Sequence, residues 1–235
     1  MMAWIAGIGV STINSEVVQM KDRGAGAKVR RLLGNLAIHP GDIARYVRYL
    51  PVWKAMPIDV GLPWLSFGAI DFLDAWIKPN HDIFEFGSGG SSIFFGRRAR
   101  SVRSVENHAL WHARVKKKLM DLNLDNVSCE LHEFGDAEAH LYRELPYFAA
   151  MGPGPFDVVV VDGFCGFTTA EYGLLRPHSF ELSLLAVRRP GGLIVVDDYW
   201  MFPDLQSRAP EAKLHVFEST GPCRYGVTST AVFEF

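Results

Sequence analysis

The residues with the most chemistry to offer are acids and glycines gathered into short runs. The run Glu85-Phe86-Gly87-Ser88-Gly89-Gly90-Ser91-Ser92 joins an acid to a glycine-rich turn. Glycines there let the backbone bend sharply and let a ligand lie against main-chain atoms that a Cβ would block, which suits a nucleotide-like ligand. Glu106 follows Glu85 by 21 residues, the spacing at which an acid can accept hydrogen bonds from both hydroxyls of an adenosine ribose. Asp136, in Gly135-Asp136-Ala137, can accept from an exocyclic adenine amine. Asp162-Gly163 and Asp197-Asp198 add three carboxylates, groups able to take a proton or to hold a hard cation.

These residues need strands to position them. Short, nearly continuous apolar runs at 83–86, 101–105, 126–132, 156–161 and 193–196 predict strands buried on both faces of a parallel sheet. Leu110 or Trp111, Val115, Leu119 and Leu122 recur at helical spacing, and 180–187 predicts an apolar helix that Pro190-Gly191-Gly192 ends. Stretches 213–218 and 228–235 predict an antiparallel pair around Gly221-Pro222 and Gly226. The expected fold is α/β: a doubly wound, mostly parallel seven-stranded sheet with an antiparallel C-terminal edge hairpin. Each acid or glycine run then falls at the carboxyl end of a strand, the edge where such sheets bind ligands. Ahead of this Rossmann-like body, 81–235, Pro40-Gly41, Pro51, Pro57, Gly61 and Pro63 cut residues 1–80 into short helical pieces, a lid or substrate segment.

Taken in order, these motifs resemble the class I S-adenosylmethionine-dependent methyltransferases over residues 82–235. Residues 83–91 look like that family's first motif, Glu106 its ribose acid, Asp136 its adenine-side acid, residues 156–162 its fourth-strand motif, and 189–198 the turn and strand after it. The family's usual third glycine is Ser91 here. The resemblance implies S-adenosylmethionine as cofactor, bound by Glu85, Gly87, Ser88, Gly89, Ser91, Glu106, Asn107, Asp136 and Asp162. It implies transfer of a methyl group, with O-methylation of a small molecule or glycan the expected reaction and Asp162 or Asp198 the base that takes a hydroxyl proton.

Two other classes use parts of the same pattern. A nicotinamide oxidoreductase would share Glu106 but needs a third glycine where Ser92 stands, and no Tyr-x-x-x-Lys donor is evident. A catalytically silent, methyltransferase-like interaction protein would have no need of the intact glycines. Some related methyltransferases hold a divalent cation with an acid after the fourth strand and an Asp-Asn pair after the fifth. The pair here is Asp197-Asp198, and that subfamily's lysine near the first acid is missing, so a divalent metal is possible but not favoured and no metal ligand is assigned. His108 and His112 lie at i and i+4 without a third ligand and read as a solvated helix face, and His178 reads as a surface histidine.

Composition bounds the rest. A chain of 235 residues, 49% hydrophobic and 21% charged, can bury a substantial core, which excludes disorder and fibre. The net charge of −2 provides no global field for nucleic acid. Basic residues nonetheless gather at 21–54 and acids at 121–171, and the stretch from Lys28 to Arg31 with Leu32-Leu33 could touch an anionic membrane surface. Cys129, Cys165 and Cys223 show no paired spacing, so neither a disulfide framework nor zinc is expected. No apolar run reaches the length of a membrane span and no secretory signal is evident, so a cytoplasmic protein without stable membrane insertion is expected. The oligomeric state has no signature in the sequence.

Overall fold

The computed structural model describes residues 25–49, 56–135, 141–163 and 175–235. Seven strands form one sheet: β1 (Asp82–Phe86), β2 (Ser101–Glu106), β3 (Val127–Leu131), β4 (Val158–Val161), β5 (Leu193–Val196), β6 (Lys213–Thr220) and β7 (Val227–Glu234). Their order is β3-β2-β1-β4-β5-β7-β6. Strands β1 to β5 run parallel, whereas β7 is antiparallel to both β5 and β6. The chain reverses direction across the sheet between β1 and β4, so the crevice at their carboxyl ends is the switch point where open α/β sheets take ligands.

Period-two alternation gives the sheet two apolar faces. Phe84, Phe86, Val159, Val161, Phe180 and Phe233 pack on one side, and Ile83, Val158, Val160, Phe67, Phe94 and Phe95 on the other. Every residue of β4 and β5 is buried, and none is polar. These two strands therefore need cover on both faces, and the helices supply it. Helices α1 (Ala25–Ile38), α2 (Asp42–Tyr49), α3 (Pro57–Val60) and α4 (Phe67–Trp76) precede the sheet. After β1 come α5 (Gly90–Gly96), α6 (Ala109–Asp121), α7 (Pro146–Ala149) and α8 (Leu175–Ala186).

The predicted sheet and hairpin are present, with small differences at element ends. Helix α8 starts at Leu175 rather than 180 because Pro177 falls in its first turn, where a missing N–H costs nothing. Phe156 makes only an isolated bridge to Val187, and β4 begins at Val158. In the front segment, α4 buries Phe67, Ala69, Ile70 and Leu73. Helix α1 is tied to β6: Arg31 Nη2 lies 2.9 Å from Glu218 Oε1, and Asn35 Nδ2 donates to the Glu218 carbonyl at 2.9 Å. No helix among the described residues is long and apolar enough to cross a membrane.

Candidate active site

The turn after β1 is held from below. Ser92 Oγ donates to Glu85 Oε2 at 2.7 Å and accepts from the Gly89 N–H at 3.1 Å. The residue that stands where a dinucleotide site would have glycine thus braces the turn. Burial pushes the Glu85 carboxyl up to about 7 against the pull of its serine hydrogen bonds, and Glu85 Oε1 has no hydrogen-bond partner. Gly87 adopts φ +97°, and a Cβ there would lie 3.0 Å from the Asp162 carbonyl oxygen. Glycine is therefore needed both for the backbone conformation and for the close approach of the β1 and β4 ends. At Gly90 a Cβ would meet the Leu62 carbonyl oxygen at 2.0 Å, so this glycine serves packing of the α3–α4 connection on α5.

Glu106 closes β2 with both carboxylate oxygens engaged. Oε1 accepts from the backbone N–H groups of Asn107 and His108 at 2.9 and 3.1 Å, and Oε2 from Ser88 Oγ at 2.8 Å. The Trp111 indole N–H donates to the Ser88 carbonyl at 2.8 Å, joining α6 to the glycine turn. One histidine reading changes here. His108 Nδ1 accepts from the Trp111 N–H and caps α6, His112 Nε2 meets the Cys129 carbonyl at 2.9 Å, and His178 is buried against the Phe148 ring, with centroids 4.7 Å apart. His108 is exposed and His112 half-buried, in keeping with a solvated helix face, whereas the burial of His178 overturns its reading as a surface histidine.

Asp162, Asp197 and Asp198 converge at the ends of β4 and β5, and two arginines stand among them. Arg176, from the first turn of α8, places Nη2 3.2 Å from Asp162 Oδ1 and Nη1 3.8 Å from Asp198 Oδ2. It also donates from Nε to the Gly163 carbonyl at 3.0 Å and from Nη1 to the Asp197 carbonyl at 2.8 Å. Arg224, from the β6–β7 loop, reaches Asp197 Oδ2 and Asp198 Oδ1, each at 3.2 Å, and its guanidinium carbon stands 5.0 Å from the Trp64 ring centroid. Burial and the neighbouring charge of Asp197 raise the Asp162 pKa well above the usual carboxylate range, with Arg176 pulling the other way. Burial and the charge of Asp198 push Asp197 up to about 6. Desolvation of the half-buried Asp198 is outweighed by Arg224, Arg176 and hydrogen bonds from Thr228 and Trp200, which hold its pKa below the ordinary value. Two fixed guanidinium groups therefore sit where a divalent cation would need those oxygens, and this donor set does not fit one.

The cavity above these groups has a volume of about 620 Å³. Gly87, Ser88, Gly89, Ser91, Glu106, Asn107, Asp162 and Asp198 all line it, as does Trp64 from the front segment. Glu85 lies behind the turn as its brace, and Asp136 lies outside the described residues. Sequence reasoning missed Arg176, Arg224 and the wall formed by Trp111. The one signal for the arginines was indirect, since three converging carboxylates demand compensating charge.

The strand order, the glycine turn at the switch point and the acid at the end of β2 define the fold of class I S-adenosylmethionine-dependent methyltransferases. The particular similarities are to three solved structures. A Klebsiella pneumoniae protein provisionally described as an O-methyltransferase superposes with a TM-score of 0.54 at 16% identity, over 95% of this chain and 96% of that one. The O-methyltransferase TomG of Streptomyces achromogenes, involved in tomaymycin synthesis and solved in complex with S-adenosylmethionine, gives 0.51 at 18% identity, over 88% and 99% of the two chains. An rRNA methylase of Streptococcus thermophilus gives 0.50 at 14% identity, over 70% and 92%. No protein-family model matches the sequence, and no curated protein matches it.

Proposed function

We propose that this protein is an S-adenosylmethionine-dependent methyltransferase that methylates a hydroxyl oxygen of a small molecule or glycan. The observation that carries the reading is the shared cavity, which gathers the glycine turn, Glu106 and Asp162 at the switch point of the sheet. When bound, S-adenosylmethionine supplies a methyl group already activated by its sulfonium. In this reading Glu106 accepts from the ribose hydroxyls, with Ser88 Oγ giving up its place on Oε2. Gly87, Ser88, Gly89 and Ser91 offer main-chain atoms along the methionyl part, and Asn107 borders the adenosine. Asp136 takes the adenine amine.

The protein's remaining tasks are alignment and proton removal, because an alcohol is a poor nucleophile at neutral pH until its proton is taken. Asp162 is the better base of the two acids proposed for that work. Its raised pKa makes its carboxylate the stronger proton acceptor, whereas the pKa of Asp198 is lowered and its carboxylate is fixed by Arg224, Thr228 and Trp200. Asp162 receives the proton as the hydroxyl oxygen gains the methyl group. Asp198 keeps Arg224 in place at the cavity wall.

Thermal-shift and calorimetric titration with S-adenosylhomocysteine, S-adenosylmethionine and NAD test the cofactor. At about 100 times its Kd a ligand adds roughly 2.7 kcal/mol of stability. Stabilisation by the two adenosyl ligands and none by NAD is expected, and the reverse would overturn the reading. A labelled-methyl assay against hydroxylated aromatics, sugars and RNA then identifies the acceptor class, and transfer to RNA alone would overturn the small-molecule assignment.

A further inference from the structure

Five large apolar residues of α1 and α2, Val29, Leu33, Ile38, Ile43 and Val47, are between 46% and 75% exposed. Val29 and Leu33 share one face of α1, and Ile43 and Val47 share one face of α2, each pair at i, i+4 spacing. The opposite faces are accounted for: Arg31 and Asn35 contact Glu218, Tyr46 is buried, and Arg45 Nη1 lies 2.7 Å from Asp71 Oδ2. Packing against the body therefore does not explain the outward apolar residues.

Their own segment is predominantly basic. Residues 25–49 contain Lys28, Arg30, Arg31, Arg45 and Arg48 against a single acid, Asp42. Arg31 and Arg45 turn towards acids of the body, and Asp42 is half-buried beside Arg45. That leaves Lys28, Arg30 and Arg48 exposed and without an ion pair among the described residues. Apolar side chains flanked by unpaired cations suit the boundary of an anionic bilayer, where the apolar groups enter the acyl margin and the cations meet headgroup phosphates. A second copy of the chain fits less well, because a twofold contact would set these cations against their own copies.

We infer that α1 and α2 form a docking surface for an anionic lipid membrane, through which the protein rests on the bilayer without spanning it. This inference does not depend on the methyl-transfer reading.

Flotation of the full chain with unilamellar vesicles tests it, using phosphatidylcholine alone and phosphatidylcholine with one third phosphatidylglycerol. Partition into the anionic vesicles is expected, and it should fall steeply when salt is raised to about 0.5 M, where screening shortens the reach of the cations. Both Arg30→Glu with Arg48→Glu and Leu33→Glu with Val47→Glu should weaken partition at least tenfold, while circular dichroism and affinity for S-adenosylhomocysteine stay as in the parent protein. No binding to anionic vesicles would overturn the proposal. So would binding that survives both double substitutions. Sedimentation showing a dimer that Leu33→Glu with Val47→Glu dissociates would instead assign the surface to self-association.

Discussion

Replacing Arg176 with methionine keeps most of the side chain's volume and removes its charge from a site where it is only 8% exposed. The change deletes hydrogen bonds to Asp162, Gly163 and Asp197 and leaves Asp162 with its negative neighbours. Breaking one partner out of a buried pair costs about 3–5 kcal/mol, an upper bound here because the Asp162 side chain is 27% exposed. For a chain of this length that corresponds to a fall in Tm of roughly 6–20 °C. The loss should depend on pH. Asp162 already has a folded-state pKa raised by burial, so the protonated form is favoured on folding, and its contribution is complete below the unfolded pKa and lost as pH rises through the folded one. Without Arg176 that folded pKa rises further, each unit adding about 1.4 kcal/mol to the pH dependence. Urea unfolding followed by tryptophan fluorescence should therefore show a larger deficit at pH 8.5 than at pH 5.5. Adding Asp162→Asn should recover at least half of the deficit at pH 8.5. A deficit equal at both pH values and unrelieved by Asp162→Asn would show that Arg176 acts through packing alone, and would refute the charge-compensation argument.

Glu106→Ala should weaken S-adenosylhomocysteine binding at least about tenfold by calorimetry, the loss of a charge-assisted hydrogen bond of about 1.5–3 kcal/mol; unchanged affinity in a folded variant would remove Glu106 from the site. Asp162→Asn should lower kcat by at least about a hundredfold, within the span attributed to a general base, while leaving cofactor affinity within a few-fold; an active variant would exclude Asp162 as base. Gly90→Ala should destabilise by about 1–3 kcal/mol through its clash with the Leu62 carbonyl, and a parental urea midpoint would contradict that contact. Glu85, with its carboxyl pushed up to about 7, contributes stability that is full below about 4.5 and lost as pH rises through 7. Glu85→Gln should accordingly gain on the parent by on the order of 3 kcal/mol between pH 5 and pH 9, and parallel stability curves would refute the burial argument.

The centre of the sheet was legible because β1, β4 and β5 are apolar on both faces and are followed by glycine or acid, a local pattern that needs no tertiary information, whereas β3, expected to be buried on both faces, is half-exposed at the sheet edge. The four valines of β4 and the turn Pro190-Gly191-Gly192 ahead of β5 illustrate it. Boundaries failed where a residue can serve either side of a limit, as Pro177 does in the first turn of α8. Most of the cavity's lining was legible for the same reason as the sheet, since the residues after a parallel strand must lie at its carboxyl edge. Arg176 and Arg224 were not. Nothing within a few residues of either reveals the acids it meets 14 to 27 positions away. His178 was misread because its burial depends on Phe148 and Tyr142, from a different part of the chain.

The position of β7 bears on how the molecule comes to be assembled. It lies between β5 and β6 although it follows both in the chain. Until it pairs, the apolar run Leu193–Val196 is an open sheet edge, a template for wrong partners during synthesis. Arg224 sits in the loop that delivers β7, and Thr228 and Thr230, which donate to Asp198 and Asp197, lie on the strand itself. Pairing of this strand therefore closes the sheet and completes charge balance at the acids in the same event. A growing or clipped chain lacking β7 would hold the glycine turn and Glu106 yet leave Asp197 and Asp198 without Thr228 and Thr230, and Arg224 on an unanchored loop, tying charge balance at the cavity wall to completion of the fold.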